Sequence, residues 1–378
     1  MRIIVCMDSF KGTLSAAEAC RVAAEGLRQG LPECEIMSVP LGDGGESTAS
    51  ALARALGGQW RYRTVTGPLP EMRVRAGWVL FEEGGDRKAV VEMAQASGMI
   101  RLNAASLDPM RTTTRGTGEL LRSAIEEGVK HIYLGVGGSA TVDCGTGAAA
   151  AVGWRFLDGA GREVVPCGGN LRRIVRLVRP PELRLPPVEV LCDVDNPLCG
   201  ERGAARVFAP QKGAGPAQVR ELEAGLEHMA HLIEEQLGVA VRDLPGAGAA
   251  GGLGAGAVAF MGARLTRGIE TVLRITGLER MAQGADWLVT GEGSFDEQSL
   301  MGKVVSGVAE LARRAGARTA VLAGRVQLSP EHYPPGVKVV VACSPPEASP
   351  PESAERAREQ LFLAACELAR MISADSAG

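Results

Sequence analysis

Carboxylates and lysines stand beside glycines at four places in the chain, each close after a short apolar run. The densest is residues 287–303, WLVTGEGSFDEQSLMGK, where Glu292, Asp296 and Glu297 precede Lys303. Trp287, Leu288 and Val289 predict a strand, and the glycine-bearing stretch after them predicts a loop. Val304, Val305, Val308, Leu311 and Ala312 then recur at helical spacing. Strand, glycine loop and helix in that order place a binding crevice at the carboxyl ends of an open α/β sheet. Carboxylates there can hold Mg²⁺ or take a proton, and a lysine can neutralise phosphate. Ser294, with Glu297 three residues on, also reads as a helix capping box.

The same form recurs upstream. Residues 2–7 predict a strand ending at Asp8. Ser9, an exposed Phe10 in a polar turn, Lys11 and Gly12 follow, then a helix whose cap is Ser15 with Glu18. Residues 34–39 predict a second strand, before Leu41-Gly42-Asp43-Gly44-Gly45-Glu46 and a helix closing at Gly57. Residues 188–191 predict a strand that runs toward Asp193, with Asp195 and Asn196 beyond it.

Between these junctions the texture changes. Residues 61–66, 74–81 and 88–93 are extended segments with no helix between them, which predicts antiparallel strands and a second domain inserted into the first. The expected division is 1–64 with 284–378, and 65–283. Thr112-Thr113-Thr114-Arg115-Gly116-Thr117-Gly118 opens a helix, and its hydroxyls and amides favour an anion, though threonines also cap. Residues 131–136 predict a strand flowing into Gly137-Gly138-Ser139. Residues 154–165 read as a hairpin over Asp158-Gly159. A helix over 217–237 carries the stripe Val219, Leu222, Leu226, Met229 and Ile233. Strands at 319–322 and 337–341 and a last helix with Leu361, Leu368, Met371 and Ile372 complete the reading.

Residues 245–256, PGAGAAGGLGAG, contain Gly246-x-Gly248-x-x-Gly251, the spacing of a dinucleotide-binding turn. A proline precedes it and Arg242-Asp243 break any strand leading in. The stretch therefore predicts a flexible hinge or a phosphate-lapping loop that includes Gly252. A nucleotide-dependent oxidoreductase rests on this spacing alone, and a non-catalytic sensor is a further alternative.

Composition narrows the classes. The 378 residues suit two domains, and 46% hydrophobic with 22% charged residues is ordinary for a globular enzyme. Fifty glycines are about twice the usual share, clustered in motifs without a collagen period. A net charge of −3 provides no basic field for nucleic acid. Nine scattered cysteines without a C-x-x-C pair read as reduced thiols, and four histidines form no zinc pattern. The first strand begins at once and no apolar run would span a bilayer, so a cytoplasmic protein is expected.

The motifs together resemble the type I glycerate kinases. They are DSFKGTLSA from Asp8, LGDGGEST from Leu41, TTTRGTGEL from Thr112, GGSATVDCGTG from Gly137, CDVDNPLCG from Cys192, FAPQKGA from Phe208, PGAGAAGGLGAG and GEGSFDEQSLMGK. They follow one another over nearly the whole chain. The resemblance implies an α/β fold of two domains: a discontinuous Rossmann-like three-layer domain and an inserted mixed α/β domain, with the active site in the cleft between them. It implies ATP-dependent, Mg²⁺-assisted phosphorylation of D-glycerate, in this type typically at the 2-hydroxyl, with phosphorylation of the 3-hydroxyl or of another small hydroxy acid as the alternative. Oligomeric state is left open, a homodimer included.

Roles follow from chemistry. Lys11, Lys212 or Arg325 could meet glycerate's carboxylate, in company with Asp8 and Ser9. Asp193 or Asp296 would be the base, with Lys303 and Lys11 beside the transferring group. Asp43 and Asp195 would hold Mg²⁺. Backbone amides of Gly137, Gly138 and Ser139, and of the loop with Gly248, Gly251 and Gly252, would cradle the nucleotide phosphates.

Overall fold

The first strand, β1 (Arg2–Val5), is four residues long and finds a partner on each side. One partner lies nearby in sequence and the other arrives almost three hundred residues later. The computed structural model describes residues 1–10, 12–42, 47–300, 303–344 and 353–376, so Lys11 and Asp43 lie outside the described residues. In chain order β1 is followed by α1 (Ala16–Gly30), β2 (Glu35–Ser38), α2 (Thr48–Leu56), β3 (Gln59–Thr66), β4 (Arg73–Glu83), β5 (Asp86–Glu92), α3 (Ala94–Ser97), α4 (Arg115–Glu126) and β6 (His131–Gly135). Next come α5 (Thr146–Ala151), β7 (Arg155–Leu157), β8 (Arg176–Val178), β9 (Val188–Leu191), α6 (Ala204–Phe208), α7 (Pro216–Leu237), α8 (Ala249–Met261) and β10 (Arg264–Thr266). The chain ends with α9 (Gly268–Ile275), α10 (Leu278–Met281), β11 (Trp287–Phe295), α11 (Val304–Ala315), β12 (Arg318–Val326), β13 (Val337–Ala342) and α12 (Ala354–Ser376).

The chain forms two compact units. The first comprises Met1–Asp43, Ser50–Gly57 and Ile269–Gly378, the second Gly44–Ala49 and Gly58–Gly268. Unit 1 holds an all-parallel sheet in the order β13-β12-β11-β1-β2. Parallel strands need crossovers, and the helices that make them cover both faces. On one face Ile3, Val5, Trp287, Val289 and Leu322 pack with Leu27 of α1 and Leu361 and Leu368 of α12. On the other, Val321 and Ala323 pack with Val305 of α11. This is the three-layer α/β arrangement expected from the resemblance.

Unit 2 is built on a mixed sheet, β10-β9-β6-β5-β4-β3. Its β10, β9, β6 and β5 are parallel, and β4 and β3 add antiparallel at one edge. The run of extended segments after residue 58 is that antiparallel edge. Trp78, Leu134 and Val190 from the sheet meet Leu120 of α4, Leu226 and Ile233 of α7 and Leu253 of α8 in a single core. The stripe read on α7 is buried as expected from Leu222 to Ile233, with Val219 packed at its margin. Among the described residues no helix is long and apolar enough to cross a membrane, and all nine cysteines are free thiols.

Local details differ from the reading at four points. Strand β11 does not stop at Val289 but continues to Phe295, because β12 runs beside it in register from Trp287↔Arg318 to Phe295↔Val326. Ser294 and Glu297 form no capping box; α11 starts after Lys303 instead. Phe10, read as exposed, is 5% exposed and closes a tight turn with Leu14. The 154–165 hairpin turns through Asp158, yet the ladder partner of β7 is β8.

Helix α1 begins at the capping box read from sequence: Ser15 Oγ accepts from the Glu18 amide at 3.3 Å, and the Ser15 amide donates to Glu18 at 3.3 Å. Glu18 also receives Arg358 of α12 at 2.6 Å, the first cause holding its carboxyl below the usual range. Farther along, Gly26 and Gly30 of α1 meet Ala365 and Ala369 of α12. A Cβ on Gly26 would stand 2.7 Å from Ala365 Cβ and from the Phe362 carbonyl. The two helices approach this closely because one has no side chains there. We expect Gly26→Val to destabilise unit 1 by about 1–3 kcal/mol, the usual cost of overpacking. Urea unfolding measures it, and an unchanged midpoint contradicts the packing described.

Candidate active site

In unit 1 the chain leaves β1 toward β2 on one side and later builds β11, β12 and β13 outward on the other. The order therefore reverses between β1 and β11, and open α/β sheets bind ligands outside the carboxyl ends of strands at such a switch point. Asp8 stands there. Its amide donates to the Gly291 carbonyl at 3.0 Å, extending the β1–β11 pairing, and its Oδ1 accepts from the Ser9 amide at 2.6 Å. Glu292 follows Gly291 on β11 and is half-buried.

The adjoining strand ends add more polar groups. Ser294 is in register with Arg325 of β12. Its hydroxyl donates to Asp296 Oδ2 at 3.1 Å, while the Asp296 amide donates to Ser299 Oγ at 3.0 Å. Asp296 is thus held at the mouth of the strand by a short turn. Lys303 occupies the cap position of α11, where helix amides begin to point outward and favour anions. Of the residues singled out from sequence, unit 1 gathers Asp8, Ser9, Asp296 and Arg325 along the carboxyl ends of three adjacent strands, with Lys303 at the helix that follows.

Unit 2 contains the other group. Gly137, Gly138 and Ser139 follow β6 after Val136, Gly138 with φ 67°, and the Gly138 carbonyl accepts from the Met99 amide at 2.9 Å. Lys212, expected to meet a substrate carboxylate, is 1% exposed. Its Nζ donates to Ser139 Oγ at 2.7 Å and to the Thr141 carbonyl at 2.8 Å. Burial pushes its ammonium down to about 7, opposed by the nearby Asp143 carboxylate.

Asp143 has no role in the sequence reading, yet it organises this region. It is wholly buried and accepts from the Thr114 amide at 2.7 Å, Thr114 Oγ1 at 2.8 Å, the Gly145 amide at 3.1 Å and the Gly147 amide at 3.2 Å. Desolvation raises its pKa, and these donors counter the rise. The anion favoured by the Thr112–Gly118 helix start is therefore Asp143 itself, 29 residues downstream of Thr114. The usable signal was that pairing: a threonine-rich helix start and a lone aspartate among glycines.

The glycines of residues 245–256 serve packing. α8 opens with a left-handed turn at Ala250, Gly251 and Gly252 (φ 54°, 66° and 88°). A Cβ on Gly251 would lie 1.9 Å from the Thr141 carbonyl, and the Cys144 amide donates to the Gly251 carbonyl at 3.1 Å. Gly248 is filled likewise by the Pro197 carbonyl and Gly252 by Leu198. The stretch is a buried helix start that interlocks with residues 141–145, in place of a flexible hinge, and no strand leads into it. The dinucleotide spacing thus lacks its structural context.

Asp193 follows β9, half-buried, and its Oδ1 accepts from the Gly268 amide at 2.8 Å. Asp195, two residues on, is exposed. Oxygen donors of this kind suit Mg²⁺, which takes one or two carboxylates and completes its shell with water and phosphate oxygens. Among the described residues no three histidines, cysteines or carboxylates cluster as a metal cage.

The chain is similar to known proteins over most of its length. The profile of the Glycerate kinase family matches residues 3–373. A glycerate kinase of Halalkalibacterium halodurans is 44% identical over 326 residues, 85% of each chain. The glycerate 2-kinase of Escherichia coli K12 is 44% identical over 317 residues, 83% of this chain and 82% of that one. The crystal structure of a candidate glycerate kinase 2 from Salmonella typhimurium LT2 superposes with a TM-score of 0.88 at 38% identity, covering 100% of both chains.

The burial of Lys212 has a measurable consequence. Its folded pKa, about 7, lies below the ordinary 10.5. Below pH ~7 both folded and unfolded chains hold the proton, and the cost of burying the charge is fully present. Between pH ~7 and ~10.5 the unfolded chain binds more protons, so the wild type gains stability relative to Lys212→Met, at up to about 1.4 kcal/mol per pH unit. Urea unfolding of both proteins between about pH 6 and 9 tests this. A difference that does not move with pH contradicts a desolvated ammonium.

Proposed function

The chain belongs to the glycerate kinase family, and from that premise we propose that it transfers the terminal phosphoryl group of ATP to the 2-hydroxyl of D-glycerate, giving 2-phosphoglycerate and ADP. The observation that supports the reading is the polar edge about the β1/β11 switch point, where Asp8, Asp296 and Arg325 lie on the end segments of neighbouring strands. A small hydroxy acid needs what that edge offers. Arg325 presents a planar cation to the carboxylate, and Asp8 and Ser9 present polar groups to the hydroxyls.

In the proposed step the 2-hydroxyl oxygen of glycerate attacks the γ-phosphorus. Its proton passes to a carboxylate, and the bond from phosphorus to the bridging oxygen of ADP breaks. Asp296, fixed by Ser294 and by its turn, is our first choice of base, with Asp193 the second. Lys303 would stabilise charge on the transferring group. The amides of Gly137, Gly138 and Ser139 are the proposed contacts to the nucleotide phosphates, since the faces of Gly248, Gly251 and Gly252 are occupied by the chain itself. Asp195 would contribute a carboxylate to Mg²⁺, which when bound neutralises phosphate charge.

An assay of ADP release with D-glycerate, with phosphorus NMR of the product, tests the reaction; 2-phosphoglycerate is expected, and 3-phosphoglycerate or no turnover contradicts it. Asp296→Asn should lower kcat by roughly a hundredfold or more, the low end for a lost general base, with the far-UV spectrum unchanged. A rate within a few-fold of wild type removes Asp296 from the chemistry.

A further inference from the structure

We infer that Lys212 is a positioning residue, an internal anchor that fixes the Gly137–Ser139 loop in its phosphate-binding shape, and that it makes no contact with the substrate. The inference rests on the proposed role of that loop and names what holds it. Residues 137–145 form a long irregular stretch, and irregular backbone keeps one shape only where neighbours over-determine it. They do so here from several directions. Backbone pairing with residues 97–99 holds the edge of the loop, the Met99 amide donating to the Gly138 carbonyl at 2.9 Å and the Ala140 amide to the Ser97 carbonyl at 3.0 Å, and Thr112 Oγ1 donates to the Ala140 carbonyl at 2.8 Å. Asp143, inside the stretch, fastens it to the start of α4 through Thr114 and to its own Gly145 and Gly147 amides. The left-handed turn at Ala250–Gly252 receives the Thr141 carbonyl against Gly251 and takes the Cys144 amide on its own carbonyl. Neither Asp143 nor that turn reaches the Ser139 side chain.

Lys212 does. It arrives on a separate segment: a short 3₁₀ turn, Pro210–Lys212, follows α6 and is closed by Gly213 with φ 96°. From there its Nζ donates to both Ser139 Oγ and the Thr141 carbonyl. The two acceptors bracket Ala140, so one side chain ties the Ser139 hydroxyl to the part of the stretch that Asp143 already holds, adding a side-chain anchor to the backbone pairing with residues 97–99. A solvent-facing lysine recruited for a substrate carboxylate would keep its head accessible, whereas this one is 1% exposed. Both donated bonds survive loss of one proton, because a neutral amine keeps two N–H groups. The anchor is therefore present on either side of neutral pH. The general pattern is a binding loop whose conformation is locked by a buried group behind it.

The test uses the full-length protein and two variants, Lys212→Met and, should that fold poorly, Lys212→Gln. Hydrogen exchange by mass spectrometry, without ligand, should show at least about tenfold faster exchange in residues 137–142, with β6 and α7 unchanged. Added ATP should protect those residues in the wild type and protect them less in the variant. In steady state the KM for ATP should rise about tenfold or more, the weight of a charge-assisted hydrogen bond, while the KM for D-glycerate stays within about threefold. A rise in the KM for glycerate alone overturns the proposal and makes Lys212 a substrate cation. Unchanged exchange in residues 137–142 overturns it as well. If the wild type fails to phosphorylate glycerate yet ATP protects the loop in a Lys212-dependent way, the anchor stands and the substrate assignment falls.

Discussion

The pairing of β1 with β11 is the constraint from which the rest of unit 1 follows. The register is Ile3↔Trp287, Ile4↔Leu288 and Val5↔Val289, continued by the Cys6 amide on Val289 at 2.7 Å and the Asp8 amide on Gly291 at 3.0 Å. At the other end the Arg2 amide meets Asp286 Oδ2 at 2.7 Å and the Asp286 amide returns to Arg2 at 2.9 Å. Closing a sheet across so long a stretch has a price in loop entropy. It is offset by burial of Ile3, Val5, Trp287 and Val289 under α1 and α12, which also come from opposite ends of the chain. Because the two strands run in parallel, their carboxyl ends emerge side by side, and Asp8 and Glu292 arrive at one edge without further arrangement.

Burial separates the charged groups of the two units into those that can do chemistry and those that hold structure. At the strand ends of unit 1, Asp8, Asp296 and Arg325 are half-buried, able to meet a ligand while the backbone fixes them. In unit 2, Asp143 and Lys212 are sealed, and Thr114, Ser139 and the Thr141 carbonyl are among the groups that partner them. An ionised group can remain in such a place only when its donors or acceptors are supplied locally. Four donors converge on Asp143, and two acceptors receive Lys212. The charges cost stability through desolvation, and in return they impose one conformation on a stretch with no regular secondary structure.

Much of this was legible in the sequence because the relevant signals are local. The capping box at Ser15 and Glu18, the stripe on α7 and the extended segments of β3, β4 and β5 are all set by neighbours in the chain. The positions of Asp8 and Asp296 just past apolar strands follow the same local logic. What escaped was set by distant partners. Strand β11 runs past Val289 because β12 lies beside it, a fact that no property of TGEGS announces. The glycines of residues 245–256 looked like ligand-facing backbone, but their space is taken by Thr141, Pro197 and Leu198. Lys212 looked like a substrate cation until Ser139, 73 residues away, supplied its acceptor.

The central claim is that the hydroxy acid is bound at the carboxyl ends of β1, β11 and β12. A crystal structure of the protein with D-glycerate, Mg²⁺ and a non-hydrolysable ATP analogue tests it most directly. The account predicts the glycerate carboxylate on Arg325 and its reacting hydroxyl within hydrogen-bond reach of Asp296. Glycerate seated away from those strand ends, with Asp8, Asp296 and Arg325 all facing solvent, would contradict it.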